Sequence, residues 1–160
     1  MRFVVDGMLG KLARWLRILG HEVDYDPGLN DSSLLDLTAR KGAVLLTRDE
    51  ELHNRAKARH VRALLVTSDS EEEKLADVAR EYGIPLVVDM ALTRCPKCGA
   101  SLSYAERAKI AHNVPAPSLR LYPEFWKCTN VNCGKLYWKG SHWKKIELTL
   151  ANAMKLLEVR

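Results

Sequence analysis

The sequence predicts an α/β fold, a parallel sheet covered by helices on both faces, followed by a small C-terminal zinc ribbon. Three observations carry this. Short apolar runs alternate with helical stripes over residues 1–90, and strand–helix alternation with short connections builds parallel sheets. The alternation stops near residues 90–95, where the composition changes. All four cysteines lie beyond residue 94. The expected division is 1–92 for the α/β part and 93–160 for the ribbon with a terminal helix.

The elements follow in order. "RFVVD" (2–6) is a short apolar run with β-branched residues. "MLGKLARWLRILG" (8–20) places Leu9, Leu12, Ala13, Leu16 and Leu19 on one helical stripe, with Gly20 as a stop. "HEVDYD" (21–26) reads as a second strand. "NDSSLLDLTARKG" (30–42) opens with good N-cap residues and closes on Gly42, as a helix does. "AVLLT" (43–47) is a buried strand and "DEELHNRAKAR" (49–59) a helix. "RALLVT" (62–67) is a strand, and "SEEEKLADVAREYG" (70–83) is a helix with Ser70 and Glu73 at capping-box spacing. "PLVVD" (85–89) is expected as the fifth strand. At the end, Ile146, Leu150, Ala153, Met154 and Leu157 recur at helical spacing, as in a helix packed on the body or on a partner.

The chain has 160 residues and is 47% apolar, enough for a real core. It contains no run approaching the roughly 18 to 20 apolar residues of a membrane span. "MRFVVDGML" is too short and too soon acidic for a signal peptide. The expectation is a soluble, cytoplasmic protein without a membrane partner. The net charge of +5 is divided unevenly. Residues 1–94 carry 14 Lys/Arg against 16 Asp/Glu, or −2, and residues 95–160 carry 11 against 4, or +7. A basic back half suits a polyanion.

Sites in open parallel sheets form outside the carboxyl ends of the strands. Asp6, Asp49 and Asp69 follow the first, third and fourth strands, and Asp31 opens the helix after the second. Each can cap a helix, Asp6 fitting that role least well. Together at one edge they repel one another unless a cation intervenes. A hard ion such as Mg²⁺ or Mn²⁺ prefers such oxygens and can activate water for phosphodiester cleavage. Rival chemistries fail on single positions. A haloacid-dehalogenase-type site needs an Asp where Met8 stands, and a receiver domain needs a Lys where Asp89 stands. "DGMLGKLAR" fits neither nucleotide-binding glycine pattern. Lys11, Arg14 and Arg17, three apart on the first helix, and Arg48 beside Asp49 form an expected phosphate-gripping edge, against the alternative of a solvated face.

The cysteines fall as Cys95-x2-Cys98 and Cys128-x4-Cys133. Two knuckles of this kind supply the four tetrahedral ligands of a structural zinc, and four thiolates leave no open position for catalysis. Disulfides are disfavoured in the cytoplasm. Behind the second knuckle, Tyr137, Trp138 and Trp143 interleave with Lys135, Lys139, His142, Lys144 and Lys145. Aromatics stack on unpaired bases while lysines meet phosphates. Alternatively, the aromatics pack the ribbon against the body.

"FVVDGMLGKLARWLRILGHEVDYD", "NDSSLLDLTARKG" and "LLTRDEEL", together with "RCPKCGASL" and "PEFWKCTNVNCGKLYWKGSHW", resemble the Mut-seven C-terminal RNase family. That resemblance implies a PIN-like nuclease domain followed by a zinc ribbon, and a metal-dependent ribonuclease activity. It places the acidic cluster on Asp6, Asp31 and Asp49, with Asp69 as the variable fourth acid and Asp36 as a competitor to Asp31. The wide second knuckle departs from the usual two-residue spacing. The expected cofactors are structural Zn²⁺ and catalytic Mg²⁺ or Mn²⁺. The expected partner is RNA, with ribosomal and transfer RNA both open, as is the oligomeric state. The alternative is a non-catalytic RNA- or ribosome-binding adapter of PIN-like shape.

Overall fold

The computed structural model describes residues 1–159. β1 (Arg2–Val5), β2 (Glu22–Tyr25), β3 (Val44–Thr47) and β4 (Ala63–Leu65) form one parallel sheet in the order β2-β1-β3-β4. Phe3 lies between Val23 and Val44, so the two central strands are in register. Between the strands run α1 (Gly10–Ile18), α2 (Asp31–Lys41) and α3 (Glu50–Ala58), with α4 (Glu71–Tyr82) after β4.

Strand side chains alternate between faces, and two cores result. Phe3, Val5, Val44 and Leu46 meet Leu12 and Leu16 of α1 and Leu75 and Val78 of α4. On the other face, Val4 and Leu45 meet Leu34 and Leu35 of α2 and Leu52 and Ala56 of α3. Both central strands are therefore buried on both faces, which is why "VLLT" reads as a continuous apolar run.

Residues 85–89 do not join the sheet. Ile84 and Leu86 are buried and Val87 is 61% exposed, so the side chains alternate as in a strand. The backbone nevertheless makes no ladder, and Pro85 removes a donor where pairing would begin. The expected fifth strand is an extended segment laid on the first core.

The first helix also differs in detail, because Gly7–Leu9 form a 3-10 turn before α1 begins at Gly10. Gly20 ends the helix at φ 93°, and a Cβ there would come within 2.9 Å of Leu92. Only glycine fits both that dihedral and that contact.

The ribbon sheet is antiparallel, in the order β5 (Leu102–Tyr104), β6 (Trp126–Cys128), β7 (Leu136–Tyr137). α5 (Arg107–Ile110) and α6 (Ala116–Leu121) lie in the loop before β6. Here Phe125 is fully buried with Ala105, Ile110 and Val114, forming a third small core. The final helix, α7 (Ser141–Glu158), returns to the body. Leu150 and Ala153 belong to the first core, and Arg80 of α4 donates to the Leu156 carbonyl. The last element thus completes the core of the first half. No described helix is long and apolar enough to cross a membrane.

Candidate active site and metal centre

The parallel strands give the sheet a carboxyl edge, where Asp6, Asp49 and Asp69 lie. Asp6 follows β1, and its Oδ1 accepts from the Gly7 amide at 2.7 Å, so it caps the 3-10 turn that the sequence gave least reason to expect it to cap. Its Oδ2 accepts from the Thr47 hydroxyl at 2.8 Å. Thr47 also accepts from the Asp49 amide at 3.0 Å. One buried threonine thus ties Asp6 to Asp49 across the two central strands.

Asp49 is the N-cap of α3. Its Oδ1 accepts from the amides of Glu51 and Leu52 at 2.9 and 3.1 Å. Both bonds fall on one oxygen, so Oδ2 lies outside them. Asp69, almost fully exposed, pairs with Arg48 at 3.3 Å. Arg48 also donates to the Ser68 carbonyl at 3.0 Å, which pins it to the strand end. Asn30, not Asp31, caps α2. Asp31 pairs with Arg55 at 3.5 Å and its competitor Asp36 with Arg59 at 2.6 Å. Among the described residues, no three carboxylates have donor oxygens within 4.8 Å of one another.

Beside this edge, Lys11, Arg14, Lys74, Asp69 and Glu71 line a polar groove. Lys11 and Arg14 are exposed there. Arg17 is not. It is only 6% exposed, and its guanidinium donates to the carbonyls of Val23 at 3.0 Å, Pro96 at 3.2 Å and Lys97 at 3.4 Å. The expected phosphate-gripping role fails for Arg17 because burial and three carbonyls occupy it. It clamps the first knuckle to the sheet's amino edge. Gly99, at φ 84°, leaves room for it, since a Cβ there would meet Arg17 Nε at 3.0 Å. Arg94 completes this seam with an ion pair to Glu22.

The four cysteines are free thiols whose sulfurs all lie within 4.8 Å of one another. Cys95 and Cys133 are 3.9 Å apart, and Cys98 and Cys128 are 3.4 Å apart. A zinc–sulfur tetrahedron with arms of about 2.3 Å has edges of about 3.8 Å. The geometry and the soft donors fit a structural metal such as zinc. Gly99 and Gly134 both turn at positive φ, directly after the second cysteine of each knuckle. For Cys98, burial opposes ionisation, but the Ala100 amide and the neighbouring thiols outweigh it and hold the group low, at about 7. Burial drives Cys128 upward.

The ribbon side chains have mixed fates. The Tyr137 hydroxyl lies 2.9 Å from Cys95 Sγ, and burial together with that contact raises its phenol. Trp138 packs on Phe125 with ring centroids 5.8 Å apart. Trp143 donates to Glu147 at 2.7 Å, and the Lys139 ammonium lies 4.9 Å above its ring. Lys135 lies over the Tyr137 ring. His142, Lys144 and Lys145 are exposed at the start of α7.

Sequence reasoning missed Thr47, Lys74 and Tyr25, whose hydroxyl donates to the Gly7 carbonyl at 2.8 Å. Thr47 was visible beside Arg48 and Asp49, but its partner Asp6 is 41 positions away.

A family model described as the Mut7-C RNAse domain matches residues 1–150. No curated protein and no solved structure matches the chain.

Proposed function

The chain belongs to the Mut7-C RNAse domain family, and on that premise we propose that it is a metal-dependent endoribonuclease. The family match supports a nuclease of RNA. The Thr47-linked pair Asp6 and Asp49 is the observation that carries the metal-dependent part. Mg²⁺ is usually held by one or two carboxylates plus substrate phosphates, and the Thr47 hydroxyl, bonded to the Asp6 carboxylate and to the Asp49 backbone amide, keeps two carboxylate-bearing residues at one end of the sheet, in keeping with that donor set. Asp6 and Asp49 would hold the ion, with Asp31 and Asp69 as the outer acids. Once bound, Mg²⁺ or Mn²⁺ supplies an activated water and neutralises charge on the phosphate. Thr47 fixes the orientation of Asp6, and α3 fixes that of Asp49. Lys11, Arg14 and Arg48 draw the phosphate backbone to this edge. Zinc on Cys95, Cys98, Cys128 and Cys133 holds the ribbon, whose Lys135, Lys139, Lys144 and Lys145 add affinity for RNA.

One observation favours a second reading, a non-catalytic RNA-binding adapter. Every acid already has a structural partner, and no described three lie within ligand distance. Cleavage of unstructured RNA with Mg²⁺ or Mn²⁺ separates the two. The nuclease cuts, and Asp6→Asn does not. RNA binding without cutting under either ion identifies the adapter.

A further inference from the structure

Between the body, the ribbon and α7 lies a cleft of about 520 Å³, within the range of ligand pockets. Ile18 and Met90 form its body side, Trp126 its ribbon side, and Trp143 and Ile146 its α7 side. No acidic residue lines it among the described residues, while Lys135 and Lys139 do. Trp143 is held in place by its bond to Glu147, and a lysine covers its ring. A fixed indole face under a displaceable cation suits a planar group that carries negative charge beside it.

We propose that this cleft binds an unpaired RNA nucleotide, its base stacked on Trp143 and its phosphates met by Lys139 and Lys135. The inference rests on the ribonuclease reading for its ligand class but not on cleavage. Charge selects the occupant. A second copy would bring its own basic half, at +7 over residues 95–160, against the same sign. An apolar peptide would leave both lysines unused. Position adds a further point. Arg17 and Ile18 close α1 beside Pro96, so the cleft lies toward the amino edge of the sheet, while the acids lie at the carboxyl edge. The nine residues of α1 span about 13 Å, roughly four stacked nucleotides at about 3.4 Å each. The cleft is thus an anchor remote from the cut, and binding and cleavage are separable.

The experiment uses the full chain with Asp6→Asn and no divalent ion. It measures binding of a ten-nucleotide unstructured RNA and of its abasic counterpart, which keeps the phosphates and lacks the bases. The Asp6→Asn protein is expected to prefer the RNA by about tenfold to a hundredfold, the range of base–aromatic stacking. Adding Trp143→Ala should abolish that preference, and Trp143→Phe should keep most of it. Equal affinity for the two oligomers overturns the proposal, as does a preference that survives Trp143→Ala. Self-association that RNA does not reverse also overturns it, because the cleft would then hold another copy. Absence of any base preference in the Asp6→Asn chain while the parent chain cleaves RNA refutes the anchor alone. Base preference without cleavage under Mg²⁺ or Mn²⁺ in the parent chain refutes the nuclease reading alone.

Discussion

At the amino edge of the sheet, four thiols lie within 4.8 Å of one another, while at the carboxyl edge no three described carboxylates do. Charge accounts for the difference. Thiols bury readily, and although Cys98 is held low, at about 7, burial drives its neighbour Cys128 upward, so the fold can gather four sulfurs. Ionised carboxylates repel, and each is held by its own partner: a helix terminus for Asp6 and Asp49, an arginine for Asp31 and Asp69. The fold brings the four cysteines together. The acids at the other edge stand apart, each on its own partner.

Metal removal gives the largest effect and the first way to break this comparison. Structural zinc sites hold their metal with binding energies on the order of 10 kcal/mol. Elemental analysis should find one zinc per chain. A strong chelator or Cys128→Ser should lower the melting temperature more than any other change considered. Disulfides without zinc would show that the thiol cluster serves another purpose.

The seam between the first knuckle and the sheet is tested next. Arg17→Ala removes a guanidinium bonded to three carbonyls and should cost about 2–3 kcal/mol in denaturant titrations. Arg17→Lys should not restore it, because one ammonium cannot reproduce the planar fork. Wild-type stability in Arg17→Ala would mean the knuckle is held by its metal alone.

At the acid edge the expected stability change is small and the functional change large. Asn caps a helix about as well as Asp, so Asp49→Asn should melt within about 0.5 kcal/mol of wild type, whereas Asp49→Ala should lose about 1 kcal/mol. Divalent ion should raise the melting temperature of the wild type and much less that of Asp49→Asn. Equal gains would reduce Asp49 to a cap.

The smallest effect concerns His21 at the amino edge. Burial, and then the nearby amino terminus, lower its pKa to about 4 from 6.5. Between those values the unfolded chain binds more protons than the folded one, so stability falls as pH drops from about 6.5 toward 4. His21→Gln should flatten urea midpoints measured across that window. An unchanged slope would assign it to the carboxylates.

Much of this was legible in the sequence because it is local or periodic. Apolar runs marked β1 to β4, Ser70 and Glu73 form the capping box, and cysteine spacing announced the knuckles. The rest depends on partners distant in the chain. Residues 85–89 have a strand's alternation, but only the sheet could show that no ladder forms there. Arg17 has the spacing of a surface cation, yet its fate was set by Pro96 and Lys97, 79 and 80 positions on. Asp6 and Asp49 were visible as acids, and Thr47 joined them only once β1 and β3 lay side by side. The sequence by itself determined which groups the protein carries and which elements bear them. Tertiary structure decided which of those groups are already spent on one another, because hydrogen bonding and burial depend on distance in space.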